Sequence, residues 1–259
     1  MTSGECGPTR TELAGSFDAI AAAYELGRPD YPDVVLDWWD ERGAFEPGHS
    51  VLDLAAGTGK LTRLLPIVCE LHAVEPLANM RNEFAAAVPG VDVIQGAAEQ
   101  IPYPDNTFDT VLVAQAFHWF DPDVALAEIA RVLKPGGGLG LVWNEDDAEA
   151  APWLSKVVDE KRFVAASTTT TENSVVEVLE RHDSFGSAEQ MEHRWEFDTT
   201  LERVLADVLS RSSVSLLPPE KCLAVLTRTR ETIEAELGKG VELVAYPYRT
   251  LAFWVPTAE

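Results

Sequence analysis

The chain has 259 residues, 46% of them hydrophobic, with 43 acidic against 20 basic side chains and a formal charge of −23. That length reads as one large domain, or one domain with a sizeable insertion. So acidic a chain, whose Lys and Arg are scattered rather than gathered in a stripe, repels a phosphate backbone, which excludes nucleic acid as its partner. Cys6, Cys69 and Cys222 are far apart and show no metal-ligand spacing, so a reduced, cytoplasmic protein without a metal site is expected. The N-terminus has no apolar core of signal-peptide type, and no run approaches the roughly 18 apolar residues of a membrane span, so no membrane partner is expected.

Residues 1–14 are expected to form a flexible lead. Ser16–Gly27 reads as a helix with Ser16 as N-cap and Phe17, Ile20, Ala21 and Tyr24 on one face. A helix carrying Val34, Val35, Trp38 and Trp39 follows and stops at Gly43. SVLDLA is a strand, GKLTRLLPIV a helix, LHAVEP a second strand and ANMRNEFAAAV a helix ending before Pro89. VDVIQG and TFDTVLVAQAF are strands three and four. DVALAEIARVLKPGG is a helix whose stop, Lys134-Pro135 and three glycines, follows it, and GLGLVWN is a fifth strand. Strands that alternate with helices and are near-continuously apolar imply a parallel sheet covered on both faces. Right-handed crossovers make such a sheet doubly wound, with its ligand at the carboxyl ends of the strands where their order reverses.

Beyond residue 145 the rhythm changes. Ala151–Ala166 is expected to be helical, STTTTENS a polar loop, SVVEVLERH a helix and EHRWEF a strand. TLERVLADVLSRSSVSLL and PPEKCLAVLTRTRETIEAELG follow as helices, the second with Pro at its head and Gly238 at its end, and VELVAYPYRTLAFWV closes as a long strand. The helices of this third are expected to form a lid.

The turn after the first strand, AAGTG, is the chemical centre of the sequence. Gly57 and Gly59 allow a close approach to a ligand, and Glu75, at the end of the next strand, stands about 20 residues past Asp53, where an acid accepts both hydroxyls of a ribose. A dinucleotide-binding turn would place a third glycine where Leu61 or Thr62 stands, so that a helix N-terminus meets the pyrophosphate. Asp53, before the turn, would repel that pyrophosphate. An acid there suits a cationic ligand without phosphate, such as S-adenosylmethionine.

VLDLAAGTGKLTRLL, AVEP, GAAEQIPYPDNTFDTVLVAQAFHWFD and EIARVLKPGGGLGLV resemble, in order and spacing, the motifs of class I S-adenosylmethionine-dependent methyltransferases over about residues 15–145. FHWFD and AAAYELGRPDYP are similar to the trans-aconitate-methyltransferase-like branch, which acts on small molecules. The resemblance implies an α/β fold with a doubly wound, mostly parallel seven-stranded sheet and a helical lid or insertion in the C-terminal third. Residues 15–259 would form a single methyltransferase domain: a cofactor core at 15–145, cap insertions at 146–240 with one sheet strand near 191–197, and a last strand at 241–255. By position, Gly57, Gly59 and the backbone around Ala55 would hold the amino-acid end of S-adenosylmethionine and Asp53 its amine. Glu75 would take the ribose, and Pro76 and Leu77 would flank the adenine. The family often has an acid where Ala97 stands, so Ala98 backbone or Glu99 would cover the adenine edge instead. It also prefers glycine at Ala55; an alanine is tolerated there if its φ is negative.

Gln115, at the end of the fourth strand, would face the methyl group. His118 is the candidate base, since imidazole titrates near neutrality. Tyr24, Arg28, Tyr31, Trp119 and Arg211 are the candidate acceptor contacts, with Arg28 suited to a carboxylate. The expected activity is methyl transfer to a small molecule, with oxygen as the acceptor atom. The rivals are a methyltransferase-like protein that does not methylate (a cyclase or a ligand-binding module), a nicotinamide oxidoreductase, and an RNA or protein methyltransferase. The last is disfavoured by charge and by AQAFHW standing where an N-P-P-Y-like tetrad would be.

Overall fold

The computed structural model describes residues 20–151, 153–157 and 172–258. The expected lead at 1–14, the Ser16 cap, Phe17, Cys6 and most of the helix and polar loop expected between 151 and 171 lie outside those residues. In chain order the elements are α1 (Ala21–Gly27), α2 (Asp33–Asp40), β1 (Ser50–Leu54), β2 (Glu70–Val74), α3 (Ala78–Ala87), β3 (Val93–Ile94) and β4 (Phe108–Ala114). They continue as α4 (Pro122–Val132), β5 (Leu133–Asp146), α5 (Glu172–Glu180), β6 (Glu189–Thr200), α6 (Leu201–Ser210), α7 (Ser212–Ser215), α8 (Pro219–Leu237) and β7 (Leu243–Pro256).

The strands form one seven-stranded sheet in the order β3-β2-β1-β4-β5-β7-β6. Every pair from β3 to β5 is parallel, and β7 runs antiparallel to β5. The chain goes from β1 outward to β2 and β3, then crosses back to lay β4 on the other side of β1. The order therefore reverses between β1 and β4, and the carboxyl ends of these two strands frame the switch point.

The chain divides into two compact units. The larger comprises Pro29–Asp146, Thr169–Glu196 and Pro247–Glu259. Strand alternation sorts its core into two layers. Leu52 and Leu54, Val111 and Val113, Leu139 and Leu141, and Leu251 and Phe253 pack with Leu126 and Ile129 of α4 and Leu179 of α5. The residues between them, Val51, Leu112, Val142 and Ala252, take the opposite face with Val35 and Trp39 of α2. Asp53, Thr110, Asn144 and Thr250 share this second face by the same period of two, so buried polar groups are interspersed in an apolar layer. α4 is well started: Pro122 stands at its first position, and the Asp121 carboxylate accepts the Val124 N–H at 3.4 Å.

The helix expected over GKLTRLLPIV does not form. Only a single 3₁₀ turn, Thr62–Leu64, follows the glycines. Pro66 pushes Leu65 into extended backbone (φ −69°, ψ 145°), which ends the turn after three residues.

The smaller unit comprises the described parts of Met1–Arg28, Asp147–Thr168 and Phe197–Tyr246. α6 buries Leu201, Val204 and Val208, and the Thr200 hydroxyl caps it by accepting the Arg203 N–H at 3.2 Å. The single helix expected over 200–217 breaks at Arg211 (φ −73°, ψ 130°). There the Ser210 hydroxyl donates to the Asp207 carbonyl at 2.7 Å, taking an acceptor that the continuing helix would use. α8 begins at Pro219 and ends at Gly238, as its sequence signals indicate.

Three substitutions in the turn after β1 separate backbone strain from packing. A Cβ at Gly59 (φ +85°) would lie 2.4 Å from Val88 Cγ2 and 2.9 Å from Phe84 Cδ2, so Gly59→Ala is expected to cost about 3 kcal/mol. Gly57 (φ +59°) has open space around it, so Gly57→Ala should cost only about 1 kcal/mol. Ala55 has φ +59°, so Ala55→Gly should gain up to about 1 kcal/mol. Denaturant unfolding of the three variants checks this, and equal losses at 57 and 59 would contradict the packing argument.

Candidate functional site

Asp53 is the last but one residue of β1 and is only 1% exposed. Its Oδ2 accepts the Thr62 hydroxyl at 2.5 Å, while its Oδ1, also buried, has no hydrogen-bond partner. Burial pushes the carboxyl up to about 7; the Thr62 hydrogen bond opposes the rise and the nearby Glu75 charge adds to it. The 3₁₀ turn that replaces the expected helix is what brings Thr62 there. The sequence reading missed Thr62, whose one signal is a hydroxyl residue standing among Leu61, Leu64 and Leu65.

Glu75 directly follows β2, and its own N–H is fixed on Ile94 O at 3.0 Å. Its buried carboxylate brackets the turn: Oε2 accepts the Gly57 N–H at 2.9 Å and Oε1 the Leu77 N–H at 2.8 Å. Arg81 reaches back to the Glu75 and Pro76 carbonyls at 2.9 and 2.7 Å, which holds Pro76 and Leu77 in place.

The alanine in the turn corrects the sequence reading. Its φ is +59°, not negative, because the chain must reverse between β1 and the glycines. A left-handed alanine costs about 1 kcal/mol, and the Ala56 N–H donating to Val74 O at 3.0 Å helps to hold it. The two glycines differ in role: Gly59 lets Phe84 and Val88 of the α3 layer come close, while Gly57 supplies the N–H for Glu75.

At the end of β4, Gln115 is also left-handed (φ +56°) and is clamped to β5. Its N–H donates to Val142 O at 2.9 Å and its Nε2 to Asn144 O at 2.8 Å. His118 and Trp119 lie in a 3₁₀ turn, half-buried, with ring centroids 4.6 Å apart. His118 Nδ1 accepts the Trp143 indole N–H at 3.3 Å, so the neutral ring carries its proton on Nε2. An acceptor needing deprotonation is served by this ring only if that bond is given up. Ala98 is buried, and Glu99 Oε1 accepts the Asp121 N–H at 2.9 Å, tying its loop to the head of α4. Tyr31 is 6% exposed and packs with Val35 and Trp39.

The remaining candidates lie in the smaller unit. Arg28, directly after α1, puts Nε 3.0 Å from both Ser210 Oγ and Asp207 Oδ1, and its guanidinium lies 5.4 Å from the centre of the Tyr24 ring. Arg211 pairs with the other oxygen of Asp207 at 3.0 Å. The structure thus joins Tyr24, Arg28 and Arg211 around one buried aspartate, a grouping invisible in their sequence spacing.

The cation-accepting reading of the turn can be tested on its atoms. A pyrophosphate needs a helix N-terminus, and here only a three-residue 3₁₀ turn follows the glycines. The buried, unanswered oxygen of Asp53 lacks a donor, which an ammonium group supplies. The Glu75 carboxylate fits a ribose diol. The site therefore fits S-adenosylmethionine and not a dinucleotide. Among the described residues no His, Cys, Asp and Glu grouping could hold a metal ion, and no helix is long and apolar enough to cross a membrane.

Comparison with known proteins agrees with this chemistry. The family described as a methyltransferase domain matches residues 52–141. The chain is 47% identical over 150 residues to an uncharacterised methyltransferase of Mycobacterium bovis, a match covering 58% of this chain and 60% of that one. It therefore spans about three fifths of the length of that relative. It is 31% identical over 169 residues to the ubiquinone/menaquinone biosynthesis C-methyltransferase UbiE of Francisella tularensis, covering 60% of this chain and 67% of that one. Among solved structures, the [4+2]-cyclase SpnF shares the fold with a TM-score of 0.59 at 18% identity, covering 96% of each chain.

The raised carboxyl of Asp53 makes a prediction about stability. Between pH 4 and about 7 the folded protein holds a proton on Asp53 that the unfolded chain has released, so this group's contribution to stability falls as pH rises through that window and is level above it. Unfolding free energies of the wild type and Asp53→Asn, compared across pH, should diverge in favour of the variant between pH 4 and about 7. A difference independent of pH would contradict the assignment.

Proposed function

Because the chain belongs to the class I S-adenosylmethionine-dependent methyltransferases, we propose that it transfers the donor's methyl group to a small molecule, at an oxygen that is already anionic. The observation that carries this reading is the buried Asp53 carboxylate with one oxygen unanswered, beside the Glu75 bracket. S-adenosylmethionine, when bound, supplies an electrophilic methyl group on a sulfonium. Asp53 takes the ammonium end, helped by the turn from Ala55 to Gly59, and Glu75 takes the ribose hydroxyls. Pro76, Leu77, Ala98 and Glu99 surround the adenine, and Gln115 lies toward the methyl group.

Transfer from a sulfonium is an in-line displacement, so the protein's task is to align the partners and exclude water. His118 has its Nδ1 held by the Trp143 indole N–H. That favours a carboxylate or phenolate oxygen, which needs no base. Tyr31 and Trp119 remain the proposed acceptor contacts of the larger unit; Tyr24, Arg28 and Arg211 remain candidates within the smaller unit.

A second reading has its own support: the Francisella relative is named a C-methyltransferase, so a stabilised carbanion is the alternative acceptor. Incubation with donor labelled in its methyl group and a panel of carboxylic acids, phenols and enolisable ketones decides. The proposal expects S-adenosylhomocysteine and a labelled ester or ether. A label resistant to both ester hydrolysis and ether cleavage supports carbon. Donor binding with no S-adenosylhomocysteine across the panel sinks the enzymatic reading in favour of a non-methylating role.

Two binding predictions follow from the carboxylates. Glu75→Ala should weaken donor binding by about 1–3 kcal/mol, the scale of hydrogen bonds to a charged group; unchanged affinity by calorimetry removes Glu75 from the site. Donor uptake near pH 6.5 should release up to about one proton as the ammonium draws Asp53 into its charged form, and the release should fade above pH 8. Calorimetry in buffers of different ionisation enthalpy measures it, and Asp53→Asn should abolish it.

A further inference from the structure

The larger unit holds a chain of hydrogen bonds, centred on the buried Thr250 and Asn144, that the proposed mechanism leaves unused. Trp195 Nε1 on β6 donates to Thr250 Oγ1 on β7 at 2.8 Å. Thr250 Oγ1 donates to Asn144 Oδ1 on β5 at 2.6 Å, across a directly paired position of the two strands. Asn144 Nδ2 donates to the Asp30 carbonyl at 3.1 Å. Thr250 is 0% and Asn144 5% exposed.

The direction of this chain is dictated by its first member. An indole N–H can only donate, so the Thr250 oxygen accepts there and its own proton must go onward. The Asn144 atom facing Thr250 is therefore the carbonyl oxygen, and the amide nitrogen is turned toward Asp30. One donor on the outermost strand thus fixes the orientation of a buried amide two strands away.

Asn144 reaches two elements of the proposed site by different groups: its side-chain amide holds Asp30, and its main chain holds Gln115. The Asn144 main-chain carbonyl is the acceptor for Gln115 Nε2. The Asp30 residue held by its side chain carries the carboxylate that pairs with Arg63 and lies 3.6 Å from the buried Lys60 Nζ. Lys60 and Arg63 flank the stretch that delivers Thr62 to Asp53. We infer that Asn144, oriented by Trp195 through Thr250, is a positioning residue for donor binding: its side-chain amide holds Asp30 and, through it, the turn carrying Thr62. This rests on the proposed donor site.

The test uses S-adenosylhomocysteine as the probe, with its dissociation constant measured beside unfolding stability. Thr250→Val keeps the shape and removes the relay, so the Asn144 amide loses its orientation; the dissociation constant should rise about fivefold or more. Thr250→Ser restores the hydroxyl and should return it to within about twofold of wild type. Thr110→Val is the control. Thr110 is equally buried on the same face of the sheet, and its hydroxyl donates to Ala44 O at 2.9 Å outside this relay, so the variant should lose stability and keep its affinity. Wild-type affinity in a destabilised Thr250→Val overturns the inference, as does an equal loss in Thr110→Val. Wild-type protein that takes up no S-adenosylhomocysteine overturns the donor site itself, and this inference with it.

Discussion

A carboxylate buried at the end of a central strand, with only one of its oxygens hydrogen-bonded, is the constraint around which the site is arranged. An acid at Asp53 is costly in the free protein: burial, with a further push from the Glu75 charge, lifts its carboxyl to about 7 even though the Thr62 hydroxyl opposes the rise. The surrounding features make sense as ways of delivering that hydroxyl and a second acid to the same place. The chain reverses through a left-handed alanine, makes one 3₁₀ turn instead of an α-helix, and stops at Leu65 before Pro66. Glu75 then closes the turn from the neighbouring strand by accepting Gly57 and Leu77 N–H groups. Strain and unanswered charge gathered at one position are the usual mark of a ligand's place.

The sheet accommodates this through alternation. One face of β1, β4, β5 and β7 carries Asp53, Thr110, Asn144 and Thr250 between Val51, Leu112, Val142 and Ala252. The Thr110 and Thr250 hydroxyls and the Asn144 amide each have a partner, so the apolar layer is not weakened by orphaned groups there. Asp53 departs from the rule: its Oδ1 is left for something that the chain itself does not provide.

Much of this was legible in the sequence. The apolar strands and the register of Glu75 against Asp53 pointed to the parallel sheet and to a cationic nucleoside ligand, whereas the helix expected to run to Lys134-Pro135 ends at Val132, and those residues open β5. Periodicity failed at GKLTRLLPIV, where the apolar spacing reads as a helix but pre-proline sterics and the demand of Asp53 for Thr62 prevail. It failed again at Arg211, where side-chain bonding to Asp207 competes with the helix. The sign of φ at Ala55 could not be read, because it depends on how sharply the backbone must turn beneath Val74. The base expected at His118 depended on a contact with Trp143, 25 residues away, that only the fold supplies. Asn144 and Thr250 look like ordinary strand residues until pairing sets them side by side.

The central claim is that the Asp53 and Glu75 pair selects a phosphate-free sulfonium nucleoside over a dinucleotide. Side-by-side calorimetric titration of S-adenosylmethionine and NADH at neutral pH tests it most directly. Saturable, one-site binding of S-adenosylmethionine and no measurable uptake of NADH are expected. Tight binding of NADH with none of S-adenosylmethionine would contradict it.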